Sequence, residues 1–240
     1  MTILKIIKFL SSILIIHYVF LVFLSGFYKN FNSYFENTKE GVVFYSTMPK
    51  SWVSLGEVSK KLSDTIRISE DWAFYDHYGI DFRQVKIAVE DKLVDGKKLR
   101  GASTITQQVI KNIFLNNRRS FLRKYNEFLL TITLELFSSK DRILEKYLNL
   151  IELGDNLYGV KRGSQYYFSK SQAEINYRES AFLAMLLPSP VKYSQSFREK
   201  SLTEYASSQI DKILNKLITA QLITSQEYEM IKFQRFNWEN

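Results

Sequence analysis

Residues Phe9 to Phe27 read FLSSILIIHYVFLVFLSGF, an apolar stretch with no formal charge when His17 is neutral. At about 1.5 Å per residue such a run is about long enough to cross the hydrocarbon core of a bilayer. Lys5 and Lys8 precede it, which predicts a cytoplasmic N-terminus, while Lys29 follows closely and weakens that bias. No small-x-small cleavage signature closes the run, Ser25-Gly26 being a poor substitute for one. Residues 1–28 therefore read as an uncleaved single-pass anchor, with a cleaved signal peptide as the alternative. Either reading puts the working part of the chain outside the cytoplasm.

With 240 residues, the chain has room for one sizeable domain behind this anchor. Only three prolines punctuate it, and runs of Leu, Ile, Lys and Glu favour helix. The expected fold class is mainly α. A formal charge of +8 suits an anionic membrane surface, a phosphate-bearing substrate or nucleic acid. The basic residues are dispersed and lie beyond the anchor, which argues against nucleic acid. Cysteine is absent, which removes disulfides, zinc-thiolate sites and thiol nucleophiles.

Residues 29–57 are polar and aromatic without clear periodicity and are expected to form a linker to a domain over 58–240. Val58, Leu62 and Ile66 recur every four residues, which predicts an amphipathic helix with Glu70 as the next position on its stripe. Further helices are expected over 82–94, from Ser103 or Thr104 to about Leu115, and over 121–137, 141–152 and 178–187. Ser138 with Asp141 is a loose capping pattern, and Thr224 with Glu227 has capping-box spacing. No segment alternates long enough for a major sheet.

Glu70 ends an apolar stripe near a helix C-terminus, and both features disfavour its ionised form. A carboxylate with a raised pKa is what a general base near neutral pH requires. The alternative is a helix-terminal Glu paired with Arg67. On a helix, Thr104, Gln107, Gln108 and Lys111 share one face, and that set of a hydroxyl, amides and an ammonium suits a sugar or phosphate. A solvated helix face is the competing reading. Arg118, Arg119, Arg123 and Lys124 surround the lone carboxylate of Glu127, an arrangement fit for pyrophosphate or for plain surface ion pairs. His77 lacks ligand-spaced His or Cys partners, so a zinc site is not expected.

Together these runs resemble the glycosyltransferase family 51 domain, the peptidoglycan glycosyltransferases. Glu70-Asp71-x-x-Phe74-x-x-His77-x-Gly79-x-Asp81 is similar to that family's first motif, and Gly101-Ala102-Ser103-Thr104-Ile105-Thr106-Gln107-Gln108-x-x-Lys111-Asn112 to its second. Arg123-Lys124-x-x-Glu127 with Leu134-Glu135 resembles the third. Ile143-Leu144-Glu145-x-Tyr147-Leu148-Asn149, then Gly154, Tyr158-Gly159-Val160 and Tyr167-Phe168, resembles the fourth. Glu179-x-Ala181-x-Leu183-Ala184, ending at Pro188-x-Pro190, resembles the fifth. The five occur in the family's order.

The resemblance implies a lysozyme-like, two-lobed helical domain with its cleft facing the membrane. It implies Glu70 as the base that deprotonates the 4-hydroxyl of lipid II, which attacks a lipid-linked glycan chain with inversion and expels undecaprenyl pyrophosphate. Glu127 would assist near the diphosphate. Lys111 and Arg119 would neutralise the leaving group, with Arg123 and Lys124 in the same cationic set. Ser103, Thr104, Gln107, Gln108 and Asn149 would shape the sugar and phosphate subsites. A divalent metal, Mg or Mn, is a candidate to share the electrostatic role, and no organic cofactor is implied. Other cell-wall synthesis proteins are candidate partners, and the location implied is the cytoplasmic (inner) membrane with the domain on its outer, periplasmic side.

The pattern has departures. Ala102 replaces a glycine usual in the second motif. Lys161-Arg162-Gly163 stands where small residues are usual, and Ser169 takes the place of a glycine, which bears on helix packing in the second lobe. The chain ends without room for a transpeptidase domain and so resembles the monofunctional members. A lysozyme-like glycan-cleaving enzyme and an inactive membrane-anchored cell-wall scaffold are the alternative functions.

Overall fold

A computed structural model describes residues 3–24, 26–93, 103–115 and 120–239. The segment expected as an anchor is a single helix, α1 (Ile3–Leu24), which begins earlier than the uncharged run and takes in Lys5 and Lys8. Its segment Ile3–Phe23 is long and apolar enough to cross a membrane. Gly26 then turns the chain with φ 69° into the short α2 (Phe27–Asn30).

The stretch expected as a linker is not irregular throughout. Strands β1 (Tyr34–Thr38) and β2 (Gly41–Tyr45) pair antiparallel, with Phe35 opposite Phe44. Phe35, Trp52 and Val53 are buried in the core. The turn lacks the usual Asn-Gly or Asp-Gly signal, and the ladder is short. Its hold on the body comes from tertiary contacts, among them Asn37 Nδ2 donating to the Leu150 carbonyl at 3.0 Å.

The domain helices follow closely the apolar periods of the sequence. They are α3 (Lys60–Glu70), α4 (Phe82–Leu93), α5 (Ile105–Phe114), α6 (Phe121–Phe137) and α7 (Lys140–Leu150). A small β3–β4 pair (Glu152–Gly154 with Leu157–Tyr158) leads to α8 (Val160–Phe168) and α9 (Tyr177–Leu186). The short α10 (Pro190–Tyr193) and α11 (Gln195–Arg198) precede α12 (Glu204–Thr219) and α13 (Ser225–Lys232). Thr224 and Glu227 form the expected capping box. The cap of α7 falls one residue later than expected, on Ser139, whose hydroxyl accepts from the Arg142 amide. The sequence reading did not anticipate α8 or α12.

The helices pack in two groups. Helix α9 is buried from Arg178 to Leu186 and lies against α3 and α12, which explains its all-round apolar character. Helix α5 packs between α6 and α7. Leu62 and Ile66 of α3, Ile105 and Ile110 of α5, and Phe182 of α9 are all fully buried in one continuous core. Helix α1 docks on α6 through two polar contacts, Tyr18 to Thr133 at 2.7 Å and His17 to Asn126 at 3.1 Å.

Two further departures resolve here. Gly163 faces Leu153 so closely that an added Cβ would lie 2.3 Å from Leu153 Cδ1, while Lys161 and Arg162 lie on the exposed side of the helix. The close approach of α8 to β3 therefore depends on Gly163, beside the buried Val160, Ser164, Tyr167 and Phe168. Ser169 ends α8 in the left-handed conformation, φ 55°, that a glycine adopts without cost.

Candidate active site

Glu70 is the last residue of α3, so its backbone leaves the helix just where its side chain enters a cavity of about 380 Å3. Asp71, Trp72, Ser103, Thr104 and Lys216 help to line that cavity. The Glu70 carboxylate is half-buried and accepts at Oε2 from Gln108 Nε2 at 3.0 Å. Gln108 in turn accepts from the Tyr147 hydroxyl at 3.1 Å. Tyr147 is buried, and desolvation followed by the neighbouring Glu70 charge raises its pKa well above normal, so it stays a donor. Gln108 is thereby fixed with its amide toward the carboxylate.

Burial pushes the Glu70 carboxyl above its ordinary range, against the opposing pull of the Gln108 hydrogen bond and the Lys216 charge. Arg67 is not its partner: that guanidinium bonds Asp64 at 3.2 Å and lies over the Tyr75 ring. Lys216 comes from α12 and donates to the Ser69 carbonyl at 3.0 Å, beside Glu70. Desolvation lowers the Lys216 pKa, and the Glu70 charge opposes that shift. Nothing local in the sequence marks Lys216, since it lies far along the chain on a helix that was not foreseen. Only the packing of α12 on α3 brings it to the site.

Asp71 holds the wall in place. One of its oxygens bonds His77 Nε2 at 2.9 Å, and the other accepts the Ile105 amide at 3.0 Å. It thus ties the end of α3 to the start of α5. Thr104 caps α5, and its hydroxyl donates to the Gly79 carbonyl at 2.6 Å. Gly79 has φ +81°, and a Cβ there would meet Thr131 Cγ2 at 2.6 Å, so only glycine fits this crossing.

The expected residues that the structure describes do not all meet at one place. Glu70, Ser103, Thr104 and Gln108 come together at the cavity. Gln107 is buried and closes the Thr104 capping box, its Oε1 accepting the Thr104 amide. Asn149 is buried, and its carboxamide is engaged by the Val53 amide and carbonyl and by the Glu145 carbonyl. With Glu145, which accepts from Trp52 Nε1 and the Leu55 amide, it clamps residues 52–55 onto α7. Glu127 is buried on α6, with one oxygen on Arg123 at 3.0 Å and the other on Lys124. That trio carries one net positive charge and does not line the cavity. Lys111 is half-buried on α5. Arg118, Arg119, Gly101 and Ala102 lie outside the described residues.

Among the described residues no group of three or more His, Asp or Glu gathers as a metal-binding cluster. Both oxygens of Glu127 already meet cations, so the protein side offers no ready ligand set there.

Comparison with known proteins shows the family of the chain. Residues 39–217 match the family model described as Transglycosylase. The chain belongs to the transglycosylase family. A biosynthetic peptidoglycan transglycosylase of Acinetobacter baumannii (strain ATCC 17978) is 37% identical over 182 residues, covering 76% of this chain and 78% of the relative. One from Marinomonas sp. (strain MWYL1) is 43% identical over 161 residues, covering 67% and 69%. One from Pasteurella multocida (strain Pm70) is 38% identical over 187 residues, covering 76% and 72%. The matched region starts inside β1–β2, so the family's own pattern takes in the latter part of the stretch expected to be a linker.

Proposed function

We propose that this transglycosylase builds peptidoglycan glycan strands from lipid II, with Glu70 as general base. The observation that carries this reading is the Glu70 carboxylate, raised by burial and open to a polar cavity at the end of its helix. A base of this kind takes the 4-hydroxyl proton of lipid II as that oxygen attacks the anomeric carbon of the lipid-linked chain. The bond from that carbon to the pyrophosphate oxygen breaks, its electron pair leaves with undecaprenyl pyrophosphate, and the centre is inverted. Gln108, held by Tyr147, fixes the carboxylate toward the attacking oxygen.

Charge developing on the leaving group calls for cations. Lys111, Arg119 and the net positive Arg123–Lys124–Glu127 trio are the residues assigned to it. Glu127 then serves to hold Arg123 and Lys124 in place, since both its oxygens face them. A divalent metal, Mg or Mn, would bind mainly through the substrate phosphates and supply further neutralisation.

The anchor keeps the enzyme in the membrane that holds both substrates, on the outer face of the cytoplasmic membrane. Exposed Phe82 and Val89 on α4 and Phe121 and Leu122 on α6 supply apolar surface for contact with that membrane. The test is to supply lipid II to the detergent-solubilised full chain. Glycan strands with stoichiometric release of undecaprenyl pyrophosphate support the reading. Release of lipid-free sugar without strand growth would overturn it.

A further inference from the structure

A second groove, of about 950 Å3, lies between the loop after β2 and helix α8. Its walls carry Lys50, Lys161, Arg162 and Lys170, with Glu36 as the carboxylate among the lining residues, and Lys170 also pairs with Glu179 at 2.7 Å. That carboxylate is already engaged, accepting from the Tyr45 and Ser51 hydroxyls and facing Arg162 at 3.5 Å. Lys161 Nζ donates to the Lys50 carbonyl at 2.6 Å, which fixes the two lysines side by side while leaving both exposed. Lys161 and Arg162 are also the residues that depart from the small side chains expected at this point. The helix packs through Val160, Gly163, Ser164, Tyr167 and Phe168, so these exposed cations are not part of its core.

The same wall holds Tyr166, 56% exposed. Its ring is braced edge-on by Tyr167 at 5.0 Å and by a tilted Phe197 ring at 5.2 Å. Gln165 adds a side-chain amide, while that of Gln172 donates to the Glu57 carbonyl at 3.1 Å. A braced aromatic face, a side-chain amide and the exposed Lys50 and Lys161 beside Arg162 form the chemistry that takes a sugar chain bearing carboxylates. The groove is distinct from the catalytic cavity. Gln172 bonds the backbone at Glu57 and Ser59, at the start of α3, whereas Glu70 ends that helix about 16 Å away.

We propose that this groove is a binding site for the acidic glycan strand itself, holding sugars and stem carboxylates of the product at a distance from the catalytic cavity. The assignment of the occupant rests on the polymerase reading above. Holding the strand here keeps its reactive end near Glu70 between successive additions, an effective-concentration effect.

The experiment measures binding of short soluble, stem-bearing glycan strands to the detergent-solubilised full chain. Neutral N-acetylglucosamine oligomers and an acidic poly-glutamate peptide are the comparison probes. The double variant Lys161→Ala, Arg162→Ala and, separately, Tyr166→Ala should each weaken strand binding about tenfold. Binding should also weaken as salt is raised toward about 1 M, where screening is strong. A photo-crosslinking residue at Gln165 should capture the strand. Retained affinity in both variants, equal affinity for neutral oligomers, or tighter binding of poly-glutamate would overturn the proposal. Lipid II polymerisation by the same preparations separates the two claims. Polymer formation with unchanged strand binding in the variants sinks only the groove, whereas no polymer from the wild type sinks the catalytic reading on which the occupant rests.

Discussion

Gln108 Nε2 stands 3.0 Å from Glu70 Oε2, and the other end of the same carboxamide receives the Tyr147 hydroxyl. Three helices, α3, α5 and α7, thus meet in one relay that ends on the carboxylate facing the cavity. Opposite the relay, Lys216 of α12 contributes the one positive charge among the cavity residues named above. Burial raises the Glu70 pKa while these neighbours restrain it.

Removing Lys216 should therefore change the pH dependence of the reaction. In Lys216→Met the pKa of Glu70 rises further, so the acidic limb of the rate–pH profile moves to higher pH and the rate at neutral pH falls. Lys216→Arg should keep the wild-type limb. Polymerisation rates across a pH series check this, and an unmoved limb in Lys216→Met would show that the two groups are not coupled.

Tyr147→Phe deletes one hydroxyl from a buried relay. Gln108 Oε1 loses its donor, at a cost of about 1 kcal/mol in stability. The carboxamide is then free to turn, and polymerisation should fall several-fold without a change in the bound substrate's affinity. Chemical denaturation and separate kcat and KM values read the two effects.

Glu127 is buried between two cations, and only Arg123 shares its burial, since the Lys124 side chain is 53% exposed. Glu127→Ala leaves Arg123 partly buried without its partner, a loss of about 2 kcal/mol or more. Arg123→Ala should cost more stability than Lys124→Ala, because an exposed lysine contributes little to a pair. Thermal or urea unfolding of the three variants gives the order.

Ser169→Gly should stabilise the fold. Ser169 holds φ 55° at the end of α8, a conformation in which a side chain is strained and glycine is not. The expected gain is about 1 kcal/mol, seen as a higher midpoint in denaturant with unchanged activity.

Much of this architecture was legible in the residues. Of the four-residue stripe, Leu62 and Ile66 lie on α3 with Glu70 at its end, while Val58 stands before the helix in extended backbone although it too is buried. Thr104 and Glu227 fell where capping patterns put them, and 121–137 is helical between the bounds its apolar period set. What escaped was non-local. The β1–β2 hairpin is held by contacts to α7 rather than by turn chemistry, and Lys216 reaches the cavity only through helix packing. The carboxamides of Gln107 and Asn149 illustrate the same limit. Their residue type suits a sugar site, yet a cap and a backbone tether engage them, and spacing alone does not distinguish these uses.

The most direct measurement compares Glu70→Gln with the wild type in both polymerisation and stability. Glutamine keeps the shape and removes the base, so strand synthesis should fall by about two orders of magnitude or more. Because the folded carboxyl has a raised pKa, its ionisation costs stability, a cost that grows as pH rises from the unfolded value through the folded one. Glu70→Gln should therefore be more stable than the wild type at neutral and higher pH, with the difference vanishing in acid. An inactive variant that is stabilised above neutral pH is the predicted result. A variant that polymerises lipid II at near wild-type rate would contradict the assignment of Glu70 as the base.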